Sequence, residues 1–164
     1  LAHHDILTGL YNRTYFEEEV KRKLAQSRKK DAALMICDLN FFKEINDVYG
    51  HLTGDNVLIF TANCWRENLP NPHILARLGG DEFIMFFEQI ESKEKFIKQI
   101  NEVRYVFQEN LYKRDDIEIE VVPSIGFAFI EEDGIDYEFL YHTCDTRMYE
   151  DKKNIKEQYL MKEV

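Results

Sequence analysis

The sequence predicts an α+β fold with a central mixed or antiparallel β-sheet surrounded by helices. Apolar, strand-like runs alternate with amphipathic helical segments along the chain. Gly79-Gly80 separates two of these runs and is a two-residue hairpin signal, so at least one strand pair is antiparallel. None of the 7 glycines forms a G-x-G-x-x-G or G-x-x-x-x-G-K loop, which argues against a doubly wound nucleotide fold.

The first third of the chain predicts a helix, a strand and two further helices. Apolar residues recur every four positions in residues 14–28, as on one face of a helix. Ala33–Leu39 is a short apolar run typical of a buried strand. Residues 41–49 fit a short helix that stops at Gly50, and Gly54 with Asp55 is expected to open the next helix. The apolar face of that helix is Val57, Leu58, Thr61, Ala62 and Trp65.

The rest of the chain predicts strands and two long helices. In order, these are strands at 73–78 and Glu82–Phe87, a helix at 92–112, a half-exposed strand at 117–121, a strand at 124–130 that breaks at 131–134, and a helix at 136–153. The central residues of the hairpin are predicted to be Gly79 and Gly80, because both positions of such a turn need positive φ.

Length and composition favour one globular domain. The chain has 164 residues, 45% of them hydrophobic, and a formal net charge of -10, which disfavours binding to a nucleic-acid polymer. The widely spaced Cys37, Cys64 and Cys144 favour buried free thiols in a reducing compartment. No signal peptide or membrane span is visible. We expect residues 1–164 to be a single cytoplasmic domain cut from a longer, possibly membrane-attached protein.

Three groups of charged residues could carry chemistry. Asp38 lies near the end of the first strand, Asp81 and Glu82 follow the glycine turn, and Lys152 and Lys156 are one helical turn apart. Carboxylates at a strand end and a hairpin can bind one divalent cation, and phosphoryl transfer relies on metals and lysines. Taken singly, each group also fits a structural role, as a helix cap, a solvated turn or a basic helix end.

Five ordered motifs span nearly the whole chain. They are DILTGLYNR at 5–13, DLNFFKEIND at 38–47 continued by GHLTGD at 50–55, RLGGDEF at 77–83, SIGFA at 124–128 and DTRMYEDK at 145–152. Together they resemble the GGDEF family of diguanylate cyclases. The resemblance implies a fold similar to the palm of nucleotidyl cyclases and polymerases, and a reaction in which a homodimer condenses two GTP molecules into cyclic di-GMP.

The resemblance also implies roles for the acidic residues. Asp38, Asp81 and the carbonyl of Leu39 would bind Mg²⁺ or Mn²⁺, with two ions per site. Asp81 would help to deprotonate the ribose 3′-hydroxyl, and Glu82 would support the metal site. Gly80 would let the substrate approach the backbone.

The remaining implied roles concern guanine and the phosphates. Asn46 and Asp55 would read guanine, because a carboxylate accepts hydrogen bonds from guanine N1 and N2 and adenine lacks those donors. The rest of the pocket would be Phe42, Lys43 and His51, with Lys152 and Lys156 at the β- and γ-phosphates. Structural roles stay open: Asn46 could cap a helix, His51 could be a packed loop residue, and Phe42 could belong to the core.

Some positions depart from the family pattern. Asn40 stands where many members have a second Asp, Ile155 replaces a frequent Gly, and Lys156 replaces a common Arg, which alone could form a bidentate fork. Pro70 and His73 occupy the ends of the segment where many cyclases have an inhibitory RxxD site, so no product inhibition through it is expected. A sensory or receiver domain is expected in the longer protein. Two alternatives remain, a catalytically silent GTP-binding module and a dimerising scaffold that binds no nucleotide.

Overall fold

The computed structural model describes residues 2–26 and 31–162, which form six helices and six strands. The helices are α1 Arg13–Gln26, α2 Phe42–Tyr49, α3 His51–Asn68, α4 Lys93–Glu109, α5 Ile130–Asp133 and α6 Tyr137–Lys162. The strands are β1 Ala33–Leu39, β2 His73–Gly79, β3 Glu82–Phe87, β4 Tyr112–Arg114, β5 Ile117–Ile119 and β6 Pro123–Phe129. The predicted fold class is confirmed.

A four-stranded antiparallel sheet with the order β2-β3-β1-β6 forms the centre of the molecule. Alternate residues of β1 point to opposite faces, as the pleat of a strand requires. Met35 and Cys37 pack with α3 and α4 on one face. Leu34 and Ile36 pack with α1 and α6 on the other face. Because β1 is covered on both sides, its sequence is a continuous apolar run that is interrupted only at Asp38.

Helix α6 packs very closely on β6. A Cβ atom added to Gly126 would lie 2.0 Å from the carbonyl oxygen of Cys144 and 2.4 Å from the backbone nitrogen of Met148. Only glycine fits at such a distance. This contact holds α6 against the sheet. In addition, Asp151 accepts a hydrogen bond from the backbone N–H of Ile125 at 2.8 Å, which places the neighbouring Lys152 near the end of β1.

Most predicted elements are present, and several boundaries differ. Helix α3 begins at His51, three residues before Gly54, because Gly50 separates it from α2. The strand expected at 117–121 ends at Ile119 and pairs with β4, an unpredicted strand that follows α4. Helix α6 continues nine residues beyond the predicted end at 153. Residues 27 and 28 of the first predicted helix lie outside the described residues.

The hairpin also differs from the prediction in its central residues. Gly79 still pairs with Glu82, and the register shifts between Arg77 and Gly79, so the two turn residues are Gly80 and Asp81. Gly80 has φ 49°, in the left-handed region. The predicted Gly79-Gly80 centre was therefore wrong by one residue. The shift carries Asp81 into the turn itself, at the end of the sheet where β1 also ends.

The three cysteines are buried, and none forms a disulfide in the described part of the chain. Burial raises the pKa of the Cys37 and Cys144 thiols well above the usual range. Each helix within residues 2–26 and 31–162 is too short or too polar to span a bilayer.

Candidate active site

Asp38, Asp81 and Lys152 meet at one end of the sheet. Asp38 is directly opposite Glu82 in the β1–β3 pairing, and the adjoining turn carries Asp81. The Nζ atom of Lys152 donates to Oδ2 of Asp38 at 3.1 Å. The other carboxylate oxygen of Asp38, Oδ1, is buried and has no hydrogen-bond partner among the described residues. An unpaired, buried carboxylate oxygen is costly unless something else binds it.

The surroundings of Asp81 and Glu82 raise the pKa of both carboxyl groups. Burial, followed by the facing carboxyl of Asp38, raises the pKa of Asp81 to about 7, and Lys152 opposes the shift only partly. Burial and the charge of Asp38 also raise the pKa of Glu82, together with Asp145. The position of Asp81 just after a tight turn predicts an exposed side chain. This prediction is wrong, because β3 pairs with β1 directly after the turn and Asp81 is half-buried.

These residues fit a small divalent cation. Mg²⁺ in proteins is usually bound by one or two carboxylates, and substrate phosphates and water complete its shell. The unpaired oxygen of Asp38 and the facing carboxyl of Asp81 provide two such ligands, while Leu39, the last residue of β1, carries the next carbonyl along the chain. Among the described residues no group of three His, Cys, Asp or Glu side chains could hold a metal, so a protein-only cage is not expected here.

An ionic network braces the turn, and sequence reasoning missed it. The Nε atom of Arg77 donates to the carbonyl of Gly80 at 2.9 Å, and its Nη1 atom donates to Asp5 at 2.9 Å. Asp5 in turn accepts hydrogen bonds from the backbone N–H and the hydroxyl of Thr8. The opening motif therefore holds the hairpin from outside the sheet. The signal was present, since Asp5 and Arg77 both belong to recognised motifs.

Helices α2 and α3 pack together at Gly54. A Cβ atom at Gly54 would lie 1.9 Å from Oδ1 of Asn46 and 3.4 Å from Cζ of Phe42, so both side chains rest on the glycine. Asp55 follows directly and is exposed. The structure thus brings three of the predicted nucleotide-binding residues together. Lys43 and His51, by contrast, are exposed on α2 and at the start of α3, and they make none of these contacts.

The amino end of α2 lies at the end of β1. Among the described residues, no side chain caps its first turn. Free N–H groups at such an end favour anions. Lys156 lines an adjacent groove with Phe41 and Glu44, one helical turn beyond Lys152. Lys152 is therefore next to the carboxylates, whereas Lys156 is nearer the start of α2.

Asn40 has a structural role at the position where many relatives have Asp. It is buried, and its Nδ2 atom donates to the carbonyl of Val122 at 2.9 Å and to the hydroxyl of Ser124 at 2.6 Å. A carboxylate at this position could not donate these hydrogen bonds. The substitution therefore fastens the end of β1 to the segment before β6.

Pro70 lies just before β2, and His73 is the first residue of that strand. The Nδ1 atom of His73 is 3.1 Å from the carbonyl oxygen of Pro70. Neither side chain supplies the guanidinium or carboxylate of an RxxD site.

Comparisons with known proteins agree on one family. The model of the family "Diguanylate cyclase, GGDEF domain" matches residues 2–158. Diguanylate cyclase TpbB from Pseudomonas aeruginosa is 33% identical over 157 residues, covering 94% of this chain and 36% of that protein. The solved GGDEF domain of the same protein superposes with a TM-score of 0.86 at 32% identity, covering 93% of this chain and 90% of that one. The probable diguanylate cyclase DgcT from Escherichia coli is 29% identical over the whole chain. The chain spans about a third of the length of these two curated relatives.

Proposed function

The chain belongs to the family of diguanylate cyclase GGDEF domains, and from this membership we propose that it condenses two GTP molecules into cyclic di-GMP and two pyrophosphates. The observation that carries the proposal is the unpaired, buried oxygen of Asp38, which faces the carboxyl of Asp81 beside Lys152. Two facing carboxylates repel each other, and Lys152 offsets that repulsion only partly. The pair Asp38 and Asp81 fits a divalent cation that also binds the phosphates of a nucleotide.

In the proposed reaction the 3′-hydroxyl oxygen of each GTP bonds to the α-phosphorus of the other, and the bond from that phosphorus to pyrophosphate breaks. Asp38, Asp81 and the Leu39 carbonyl would hold Mg²⁺ or Mn²⁺, two per site, which would neutralise charge on the phosphates. Asp81 would help to remove the proton of the hydroxyl, directly or through metal-bound water. Glu82 would support the metal site with its negative charge. Gly80, which has no side chain, would let the substrate approach the backbone of the turn.

Two ends of α2 would hold the nucleotide. Asn46, resting on Gly54, and the neighbouring Asp55 would pair with the guanine edge. The free N–H groups at the other end of α2 would meet the phosphates, with Lys152 and Lys156 supplying positive charge. The remaining proposed pocket residues are Phe42, Lys43 and His51.

The chemistry requires two copies of the chain. We expect each copy to bind one GTP, so a homodimer must bring two sites face to face. Because this chain is about a third of the length of its relatives, the remaining parts of such proteins can raise the effective concentration of the pair. A sensory or receiver domain is the proposed partner for that task.

Product analysis tests the proposal directly. Concentrated protein is incubated with GTP and Mg²⁺, and cyclic di-GMP and pyrophosphate are measured by chromatography. We expect a ratio of two pyrophosphates to one cyclic product, and no product when EDTA replaces Mg²⁺. GTP binding without any product would instead support the second candidate.

That second candidate is a silent GTP-binding module. Lys152 is bonded to Asp38, and α6 continues past Ile155, where the family often has the helix-stopping Gly. Both features could keep the phosphate lysines from their substrate. A chain that binds a non-hydrolysable GTP analogue, yet never turns GTP over, would be such a module.

The raised pKa of Asp81 predicts how the pH changes the stability of the metal-free protein. The pKa is about 7 in the fold and 3.8 for an unperturbed Asp, so the folded state holds the proton more tightly. Stability from this group is complete below pH 3.8 and is lost as the pH rises through 7. In EDTA, Asp81→Asn should therefore melt higher than wild type at pH 8, by a smaller margin at pH 5, and nearly equal to it only below pH 3.8. Asp116→Asn, on an exposed turn, is the control.

Added Mg²⁺ extends this test, since the ion competes with the proton. It should raise the melting temperature of wild type more at pH 8 than at pH 6, and it should not raise that of Asp81→Asn. Equal Mg²⁺ shifts for the two proteins would contradict the metal assignment.

Pro70 and His73 predict that product does not inhibit through the segment before β2. Initial velocities with increasing cyclic di-GMP should show no submicromolar inhibition. Introducing Pro70→Arg together with His73→Asp should create inhibition by cyclic di-GMP. Submicromolar inhibition of wild type that disappears on altering residues 70–73 would contradict the prediction.

A further inference from the structure

Asn40 and Phe41 form the whole connection between β1 and α2, and Phe41 has a left-handed backbone with φ 63° and ψ 18°. A bulky residue remains in this region only where its surroundings hold it there. Helix α2 starts at the next residue, so the conformation of Phe41 sets where the free N–H groups of the first turn point. The orientation of the amino end of α2 therefore depends on what holds Phe41.

The segment 120–124 holds the first residue of the connection directly. The backbone N–H of Asn40 donates to the carbonyl of Val122 at 2.8 Å, and its side chain donates to the same carbonyl and to Ser124. These three hydrogen bonds fix Asn40 at the end of β1. They leave the conformation of Phe41 to other contacts.

Tyr159 of α6 makes such a contact. Its ring lies 5.2 Å from that of Phe41, centroid to centroid, at an angle of 60°. The hydroxyl of Tyr159 donates to Oε2 of Glu120 at 3.0 Å. Burial and this bond raise the pKa of Tyr159 to about 12, so the hydroxyl stays a donor near neutral pH. The segment 120–124 therefore holds both connection residues, Asn40 directly and Phe41 through Tyr159.

Tyr159 reaches this place only because α6 is long. The helix runs through Ile155 to Lys162, so the tyrosine is one turn beyond Ile155. Its ring stands between two hollows of the surface. One, of about 590 Å³, lies between α4 and α6, and the other is the groove that Phe41 and Lys156 line. Tyr159 therefore borders the groove at the start of α2.

We propose that Tyr159 is a positioning residue, whose ring holds Phe41 and thereby orients the amino end of α2 toward the phosphates of the nucleotide. The inference rests on the proposed function, because it assumes that phosphates bind at this end of α2. The guanine end is different. Asn46 lies a full turn farther along α2 and is supported by Gly54, so base recognition should not depend on Tyr159.

Binding measurements separate these two ends of the site. We would compare the affinities of a non-hydrolysable GTP analogue with Mg²⁺ and of guanosine alone in wild type and Tyr159→Ala. The analogue should bind about tenfold more weakly to the variant, because Phe41 can relax from its strained conformation. The affinity for guanosine should change less than about twofold, and the KM for GTP should rise more than kcat falls.

Control variants keep the result specific. Tyr159→Phe retains the ring and should keep most of the analogue affinity. Tyr105→Ala removes an exposed tyrosine from α4, away from Phe41, and should change nothing. If Tyr159→Ala melts too early to be used, Tyr159→Leu, which keeps apolar volume without an aromatic ring, takes its place with the same expected loss.

Two outcomes would overturn the inference while leaving the proposed function intact. One is unchanged analogue affinity in the tyrosine variants, and the other is an equal loss for guanosine and the analogue, which would indicate general damage. Failure of the wild type to bind the analogue would instead overturn the proposed function itself.

Discussion

Replacing Asp81 by Asn should lower the rate of cyclic di-GMP formation by about 10³-fold or more. The variant removes one of the two facing carboxylates. The metal would then lose a ligand, and the 3′-hydroxyl would lose its proposed proton acceptor. Asp81 is half-buried and costs the metal-free fold stability when it is charged, so the amide should fold at least as well. The product assay should therefore show an inactive variant, and circular dichroism should show that it is folded.

A paired experiment distinguishes this loss from a general effect of charge. Asp38→Asn should show a similar loss of product, because its unpaired oxygen is the other proposed ligand. Asp116→Asn, in the exposed turn between β4 and β5, should keep full activity. An Asp81→Asn protein that retains a tenth or more of the wild-type rate would show that the metal and base assignments are wrong.

Replacing Asp55 by Ala should lower kcat/KM for GTP by about 100-fold. A charged acceptor that bonds two guanine donors contributes about 1.5–3 kcal/mol per hydrogen bond, and 1.4 kcal/mol is a tenfold change. Any turnover of ATP should not fall, since adenine lacks those donors. The preference for GTP over ATP should therefore shrink by nearly the same factor, as competition between the two nucleotides would measure.

Gly54 gives an independent test of the same pocket. In Gly54→Ala the new Cβ would overlap Oδ1 of Asn46, at 1.9 Å, and must displace that side chain. We expect a loss in the same direction as for Asp55→Ala, with altered base preference. Glu67→Ala, exposed at the far end of α3, is the matched control. Unchanged kcat/KM in Asp55→Ala would place guanine recognition elsewhere.

The spacing of apolar residues was sufficient to predict the helices and strands whose structure depends on neighbouring residues in the chain. The four-residue spacing of Phe16, Val20 and Leu24 predicted α1, and all three are buried. The apolar run of β1 and the returning strand Glu82–Phe87 were predicted with the bounds that the structure has. Boundaries failed where a single glycine had two possible roles: Gly50 both ends α2 and precedes α3, and Gly79 remains in β2 instead of forming the turn.

The sequence by itself determined most of the helices and strands, the motifs, and thus the family and the residue types available for metal and guanine. Only the tertiary structure decided that Asp81 is half-buried against Asp38, that Lys152 rather than Lys156 reaches the carboxylates, and that Tyr159 meets Phe41. The physical reason is the distance along the chain over which each interaction acts. Periodicity and turn chemistry act over a few residues, whereas burial, pKa and ring contacts depend on elements that are more than 40 residues apart in the chain.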